Sequence, residues 1–230
     1  MEGLSAGALR GAPALFGGGA LNTGHAVAVG IDPSLTRLAL AVAGAREETA
    51  SFHARGYSGV PRLRVLRDQA LAWIRQHQPS VVVMEGYSMA AKAGRLADLG
   101  ELGGVLKTAL WDEGYREEDG TLVVVTPAQL KKFATGRGNA EKAAVVSAVA
   151  RRWGVEVDTD DEADAYVLAR IGLALLGGEE SLTAYQRDVM QRIRTQSPGW
   201  LRLGWGPPTR VPQSKMTYIQ ARRSSGGLGV

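Results

Sequence analysis

Between residues 26 and 54 the apolar positions fall into three short runs, 26–32, 38–43 and 49–54, separated by brief polar turns. Runs of that length with turn residues between them predict adjacent strands joined as a meander. The period then changes. Val60, Leu63, Leu66, Ala70, Leu71 and Ile74 recur at helical spacing behind Pro61, which predicts an amphipathic helix over 60–78. Val81-Val82-Val83-Met84 has no polar position and predicts a strand buried on both faces. A helical stretch over 90–111 comes next, then a second apolar strand over 122–125 and a short helix from Pro127. After a loop containing Gly136 and Gly138, helices are expected over 140–153, 161–176 and 182–194. Three consecutive strands, then strands alternating with helices, predict an α/β fold: a mixed sheet of about five strands flanked by helices.

The two ends lack any period. The first 24 residues are rich in Gly, Ala and Leu around Gly17-Gly18-Gly19, and predict a flexible leader. Its only basic residue is Arg10, too little for a convincing signal or transit peptide, although an organellar address stays open. Beyond Ser197, Pro and Gly interrupt every pattern, so 197–230 is expected to be a tail and 25–196 the folded domain.

Composition narrows the chemistry by exclusion. The 230 residues contain no cysteine, which removes disulfides, thiolate metal sites and Cys nucleophiles and suits a reducing compartment. No apolar run reaches the roughly 18 residues that a membrane span requires, which excludes a spanning helix. The net charge is +4, but it is unevenly placed. From Thr183 onward eight basic residues face the single acid Asp188, a net +7 that leaves the first 182 residues at −3. A basic end on a slightly acidic body suits a polyanion, and it also suits a solubilising tail.

Four acids occupy informative positions. Asp32 closes the first strand in Gly30-Ile31-Asp32-Pro33-Ser34, where ligands of α/β sheets bind, though Asp-Pro-Ser is also a good turn sequence. Glu85 closes the strand 81–84 in the same way, or caps the next helix. Asp161 and Asp164 are three apart and share a helix face, while Ala163 and Ala165 allow that helix close to a sheet. Acids there also suit a helix N-terminus, which accounts for Asp158, Asp160 and Glu162. Four carboxylates from separate elements, with no Cys and three His, match an all-oxygen site for Mg²⁺ or Mn²⁺. Two such ions about 4 Å apart can clamp the attacking and leaving oxygens of a phosphodiester, so this set predicts a nuclease.

A basic loop supplies the complement. Lys131, Lys132, Arg137 and Lys142 surround the segment Gly136-Arg137-Gly138-Asn139, whose glycines expose backbone N–H groups suited to phosphate. The segment lacks the Gly-Lys-Ser/Thr ending of a P-loop.

Together these motifs resemble the RuvC-like Holliday-junction resolvases of the RNase H-like superfamily. The resemblance runs from about residue 27 to 176 and rests on Gly30-Ile31-Asp32-Pro33-Ser34, Met84-Glu85, the stretch from Pro127 to Lys142, and Asp161-Glu162-Ala163-Asp164-Ala165. It implies an RNase H-like fold and a homodimer that cuts opposed strands of a four-way DNA junction with two Mg²⁺ or Mn²⁺ ions per site. Asp32, Glu85, Asp161 and Asp164 fall on the family's catalytic, metal-binding acids. Lys131 and Lys142 fall on its basic catalytic positions, and Lys132, Arg137, Gly138, Asn139 and Tyr87 on the expected DNA-binding surface. Cellular members carry a junction-opening aromatic a few residues after the glutamate. Ser88 takes that place here, leaving Tyr87 or Met89 as substitutes. Smaller divergent members occur in bacteriophages, so the implied location is the cytoplasm of a bacterial or phage-infected cell.

Other classes explain less. Sugar kinases and actin-like ATPases also open on a Gly-Ile-Asp strand but need a duplicated fold well above this length. A catalytically silent junction binder would have lost one or more of the acids. An interaction module with no nucleic-acid role leaves the acids and the basic loop without a reason to coincide. A relaxed nuclease acting on forks and flaps remains the nearest alternative to four-way specificity.

Overall fold

The computed structural model describes residues 26–34, 37–87, 93–179 and 181–196. The expected leader and tail lie outside the described residues, as do Ser88, Met89 and the start of the helix expected from residue 90.

Five strands form one sheet. They are β1 (Val27–Pro33), β2 (Leu38–Gly44), β3 (Glu48–Phe52), β4 (Val81–Glu85) and β5 (Leu122–Val125), in the order β3-β2-β1-β4-β5. β1 and β2, and β2 and β3, pair antiparallel as the expected meander, while β4 and β5 join in parallel. The helices are α1 (Gly59–His77), α2 (Ala93–Asp112), α3 (Pro127–Thr135), α4 (Lys142–Trp153), α5 (Asp160–Leu175) and α6 (Ala184–Gln196). Each expected element is present. β3 stops at Phe52, short of the expected residue 54, because the Tyr57 amide turns back to donate to the Ala54 carbonyl at 3.2 Å. Ala54 is still buried, and that burial imitates a strand position in the sequence.

Side chains of a strand alternate between faces, and here the two faces differ in size. One carries Val29, Ile31, Leu38, Leu40, Val42, Val82 and Met84, packed with Leu66 and Ile74 of α1 and Leu102, Leu106 and Leu110 of α2. The other carries Ala28, Ala39, Ala41 and Ala43 beside Val81 and Val83, and meets α3, α4, α5 and α6. Small residues on that second face let α5 lie unusually close. A methyl group at Gly30 would overlap the Ala165 carbonyl of α5, and one at Gly172 would come within 2.8 Å of the Ala28 Cβ. The helix is accordingly buried along nearly its whole length, from Glu162 to Leu175 apart from Arg170.

Candidate active site

Strand parity puts the first two acids together. Residues 28, 30 and 32 of β1 face α5, as do 81, 83 and 85 of β4, so Asp32 and Glu85 leave the sheet on the same side. The parallel register aligns Ile31 with Met84, which places the two carboxylates at the same level one residue further on. Helix α5 brings the other pair. Its N-cap Thr159 accepts from the Glu162 amide at 3.2 Å, fixing the first turn, and Asp161 and Asp164 lie on the side toward the strand ends. The close approach of α5 to β1 is therefore what delivers the second pair of acids to the first.

Crowding shifts their protonation. Burial raises the Asp32 pKa well above its ordinary value, with Glu85 and then Asp161 adding like-charge repulsion. Burial pushes Glu85 up to about 7, with Asp164 reinforcing the shift and a hydrogen bond to Asp32 opposing it, together with Lys142 and Lys131. Asp164 also rises to about 7, first through burial and then through the Asp32 charge. The hydrogen bond between Asp32 and Glu85 raises the pKa of Asp32 and lowers that of Glu85. Asp32, Glu85 and Asp164, which resist ionising together, mark a site short of positive charge.

Three basic residues partly supply it. Lys142, at the start of α4, pairs with Asp160 and lies 3.6 Å from Asp161. Arg37, just before β2, brings its Nε within 3.3 Å of Asp161 Oδ2, although no well-aligned hydrogen bond satisfies that buried nitrogen. Lys131 stands on α3 near enough to Glu85 to lower its pKa. Helix α3 is set by a full capping box, in which Thr126 accepts from the Gln129 amide and the Gln129 side chain accepts from the Thr126 amide at 2.9 Å.

The remaining expected contacts divide. Arg137 and Asn139 are exposed, and Gly138 passes so close to Ala128 that a methyl group there would sit 3.2 Å from the Ala128 carbonyl oxygen. Lys132 points elsewhere, its Nζ donating to Asp188 of α6 at 2.6 Å. Tyr87 is turned onto α2, where its ring fills the space above Gly103 and its hydroxyl lies 3.5 Å from the Gly100 carbonyl. Met89 lies outside the described residues. Arg37 and Glu162 were not expected as site residues from sequence pattern. For Glu162 the Thr-x-x-Glu pattern from Thr159 was an available signal.

The donor set fits divalent cations. Three buried or half-buried carboxylates with raised pKa values gain most from a hard cation, and every donor is oxygen. Among the described residues no three such groups are yet drawn in tightly enough to hold an ion. Asp161 is engaged by Arg37 and Lys142.

A β3-β2-β1-β4-β5 sheet whose first and fourth strands end in acids beneath a carboxylate-bearing helix is the RNase H-like arrangement. Two solved structures share the fold. The first, T. thermophilus RuvC in complex with Holliday junction substrate, has a TM-score of 0.54 at 23% identity and covers 63% of this chain and 91% of that one. A Thermus thermophilus RuvC structure gives 0.52 at 22%, covering 66% and 97%. The sequence model of crossover junction endodeoxyribonuclease RuvC matches residues 28–171, more than half of the chain, and the chain belongs to that family of endonucleases. Among curated relatives, the crossover junction endodeoxyribonuclease RuvC of Nocardia farcinica is 30% identical over 151 residues, 61% of this chain and 77% of that protein. Its counterpart in Corynebacterium jeikeium is 30% identical over 151 residues, 61% and 90%. No helix among the described residues is long and apolar enough to cross a membrane.

Proposed function

We propose that this protein is a metal-dependent endodeoxyribonuclease that cleaves four-way DNA junctions as a homodimer with one site per subunit. The observation that carries the reading is the meeting of Asp32, Glu85 and Asp164 at one sheet end with their pKa values raised by burial and mutual repulsion. Asp32, Glu85, Asp161 and Asp164 would hold two Mg²⁺ or Mn²⁺ ions, which when bound polarise the scissile phosphate and lower the pKa of water. The protein's own groups do the rest. Asp32, Glu85 and Asp164, whose ionised forms are disfavoured by burial, would be stabilised as carboxylates by cations held there. Lys142 and Lys131 face the carboxylates from α4 and α3, where their charge opposes that building on the phosphate oxygens. Arg137, Gly138 and Asn139 offer a cation and polar donors for the DNA backbone on the α3–α4 side.

The test is incubation of purified protein with labelled four-way, forked and linear duplex DNA, with Mg²⁺ and with chelator. Metal-dependent cutting of the four-way junction at symmetric positions supports the reading, and binding without cutting in any metal refutes it. The position of Tyr87 favours a second reading, relaxed action on forks and flaps. A tyrosine engaged with α2 is not available to wedge a junction open, and comparable rates on forks and four-way junctions would select this alternative.

A further inference from the structure

Thr159-x-x-Glu162 has the spacing of a capping box, in which the glutamate reaches back to the N-cap amide. Glu162 does something else. Its carboxylate is buried and accepts from the Asp158 amide at 3.2 Å, one residue before the cap. Its other contacts cross to the sheet. Ser51 Oγ donates to Oε1 at 2.6 Å and Thr49 Oγ1 donates to Oε2 at 3.2 Å. Both hydroxyls belong to the edge strand β3, opposite Ala39 and Ala41 of β2, and so face α5.

From this geometry we infer that Glu162 is a positioning residue, holding the first turn of α5 to β3 so that its neighbours Asp161 and Asp164 meet Asp32 and Glu85. The inference rests on the proposed metal-dependent cleavage and adds a residue that touches neither ion nor DNA.

The argument is one of leverage. Apolar packing of α5 against β1 fixes the depth of the helix but is weakly directional, and alanines resist little if the helix slides or turns about its axis. Hydrogen bonds are directional, and three of them converge on one carboxylate at the end of the helix that carries the acids. Asp161 precedes Glu162 directly and Asp164 lies half a turn on, so a rotation of the first turn moves both. The same carboxylate ties down the chain entering the helix through Asp158, which limits fraying where Asp161 must be presented. A buried carboxylate is costly to hold unless its lone pairs are satisfied, and that cost is accepted here next to the site.

The experiment compares the parent with Glu162→Ala, Glu162→Gln and the double variant Thr49→Val/Ser51→Ala in the full chain. Single-turnover cleavage of a four-way junction, the Mg²⁺ concentration for half-maximal rate and junction affinity are measured for each. Mn²⁺ binding by calorimetry and amide hydrogen exchange over 158–164 are recorded without DNA. Glu162→Ala is expected to slow cleavage about tenfold or more, to raise the half-maximal Mg²⁺ severalfold, and to leave junction affinity within about twofold. Weaker Mn²⁺ binding and faster exchange over 158–164 should accompany it. Glu162→Gln, which can still accept one bond and exchange another with a hydroxyl, should recover most of the rate. The double variant, which leaves the helix sequence intact, should reproduce the alanine defect even if Glu162→Ala fails to fold. Parent-like rate, Mg²⁺ dependence and exchange in the double variant would overturn the inference. If the parent itself cuts no DNA, the proposed function fails, while Mn²⁺ binding and exchange still decide the role of Glu162.

Discussion

Asp164→Asn should make the metal-free protein more stable at pH 8 while removing cleavage. Asp164 is buried, with a pKa raised from 3.8 to about 7 by burial and the neighbouring Asp32. Between about pH 4 and 7 the folded chain therefore keeps a proton that the unfolded chain has released, and stability falls as pH rises through that window. The decline is complete above the folded pKa. At 1.36 kcal/mol per pH unit the displacement corresponds to roughly 4 kcal/mol at pH 8. Relaxation and water entry reduce what is measured, so a gain of about 2 kcal/mol is expected for the neutral isostere. Urea denaturation in chelator at pH 8 and at pH 5 reads the effect directly. The gain should be full at pH 8 and shrink to less than half at pH 5, where Asp164 of the folded parent is neutral but the unfolded chain has already begun to release its proton. Adding Mg²⁺ at pH 8 should stabilise the parent and leave the variant unchanged, because an ion bound only by the folded state shifts the equilibrium toward it. A variant no more stable than the parent at pH 8, or a gain equally large at pH 5, would refute the reasoning.

Asp32→Asn or Glu85→Gln should remove most junction cleavage while gel-shift binding survives, and near-parent turnover in either would take that residue out of the site. Lys131→Ala with Lys142→Ala should flatten the slope of log affinity against log salt by roughly 0.9 for each phosphate that is no longer neutralised. Adding Lys132→Ala should change that slope little, since Lys132 is engaged with Asp188. Gly30→Ala should cost ~2–3 kcal/mol in chemical denaturation by forcing α5 off β1, and an unchanged midpoint would mean that the helix yields freely. Deleting 198–230 should leave a dimer in sedimentation that still cuts junctions and binds all DNA more weakly, whereas a monomer would place the dimer contact in the tail.

The sheet was legible because its strands are short and bounded by turns and all but the edge strand β3 are almost wholly apolar, and Asp32 and Glu85 stand out as the first acids after such runs. The pairing of Asp161 with Asp164 was legible from helical spacing, and the alanines between and after them announced close packing. What escaped the sequence depends on contacts between distant segments. Lys132 and Lys131 are adjacent in a basic run, and only the position of α6 sends one toward Asp188 and leaves the other near Glu85. Tyr87 read as a free aromatic until Gly103, sixteen residues on, offered it a seat. Glu162 passed for one more acid favouring the helix dipole, since its partners Thr49 and Ser51 lie more than a hundred residues earlier. Arg37 carried no pattern of its own.

The unequal faces of the sheet give this domain a division of labour open to engineering. All four acids and the helix that brings two of them occupy the alanine-paved side, whereas α1 and α2 lie on the side of large aliphatic residues. Libraries that repack or graft new surfaces onto α1 and α2 can therefore alter how copies or partners attach without disturbing the carboxylate geometry. The paved side has no such freedom, because there the spacing of the reaction centre is set by one backbone resting on another.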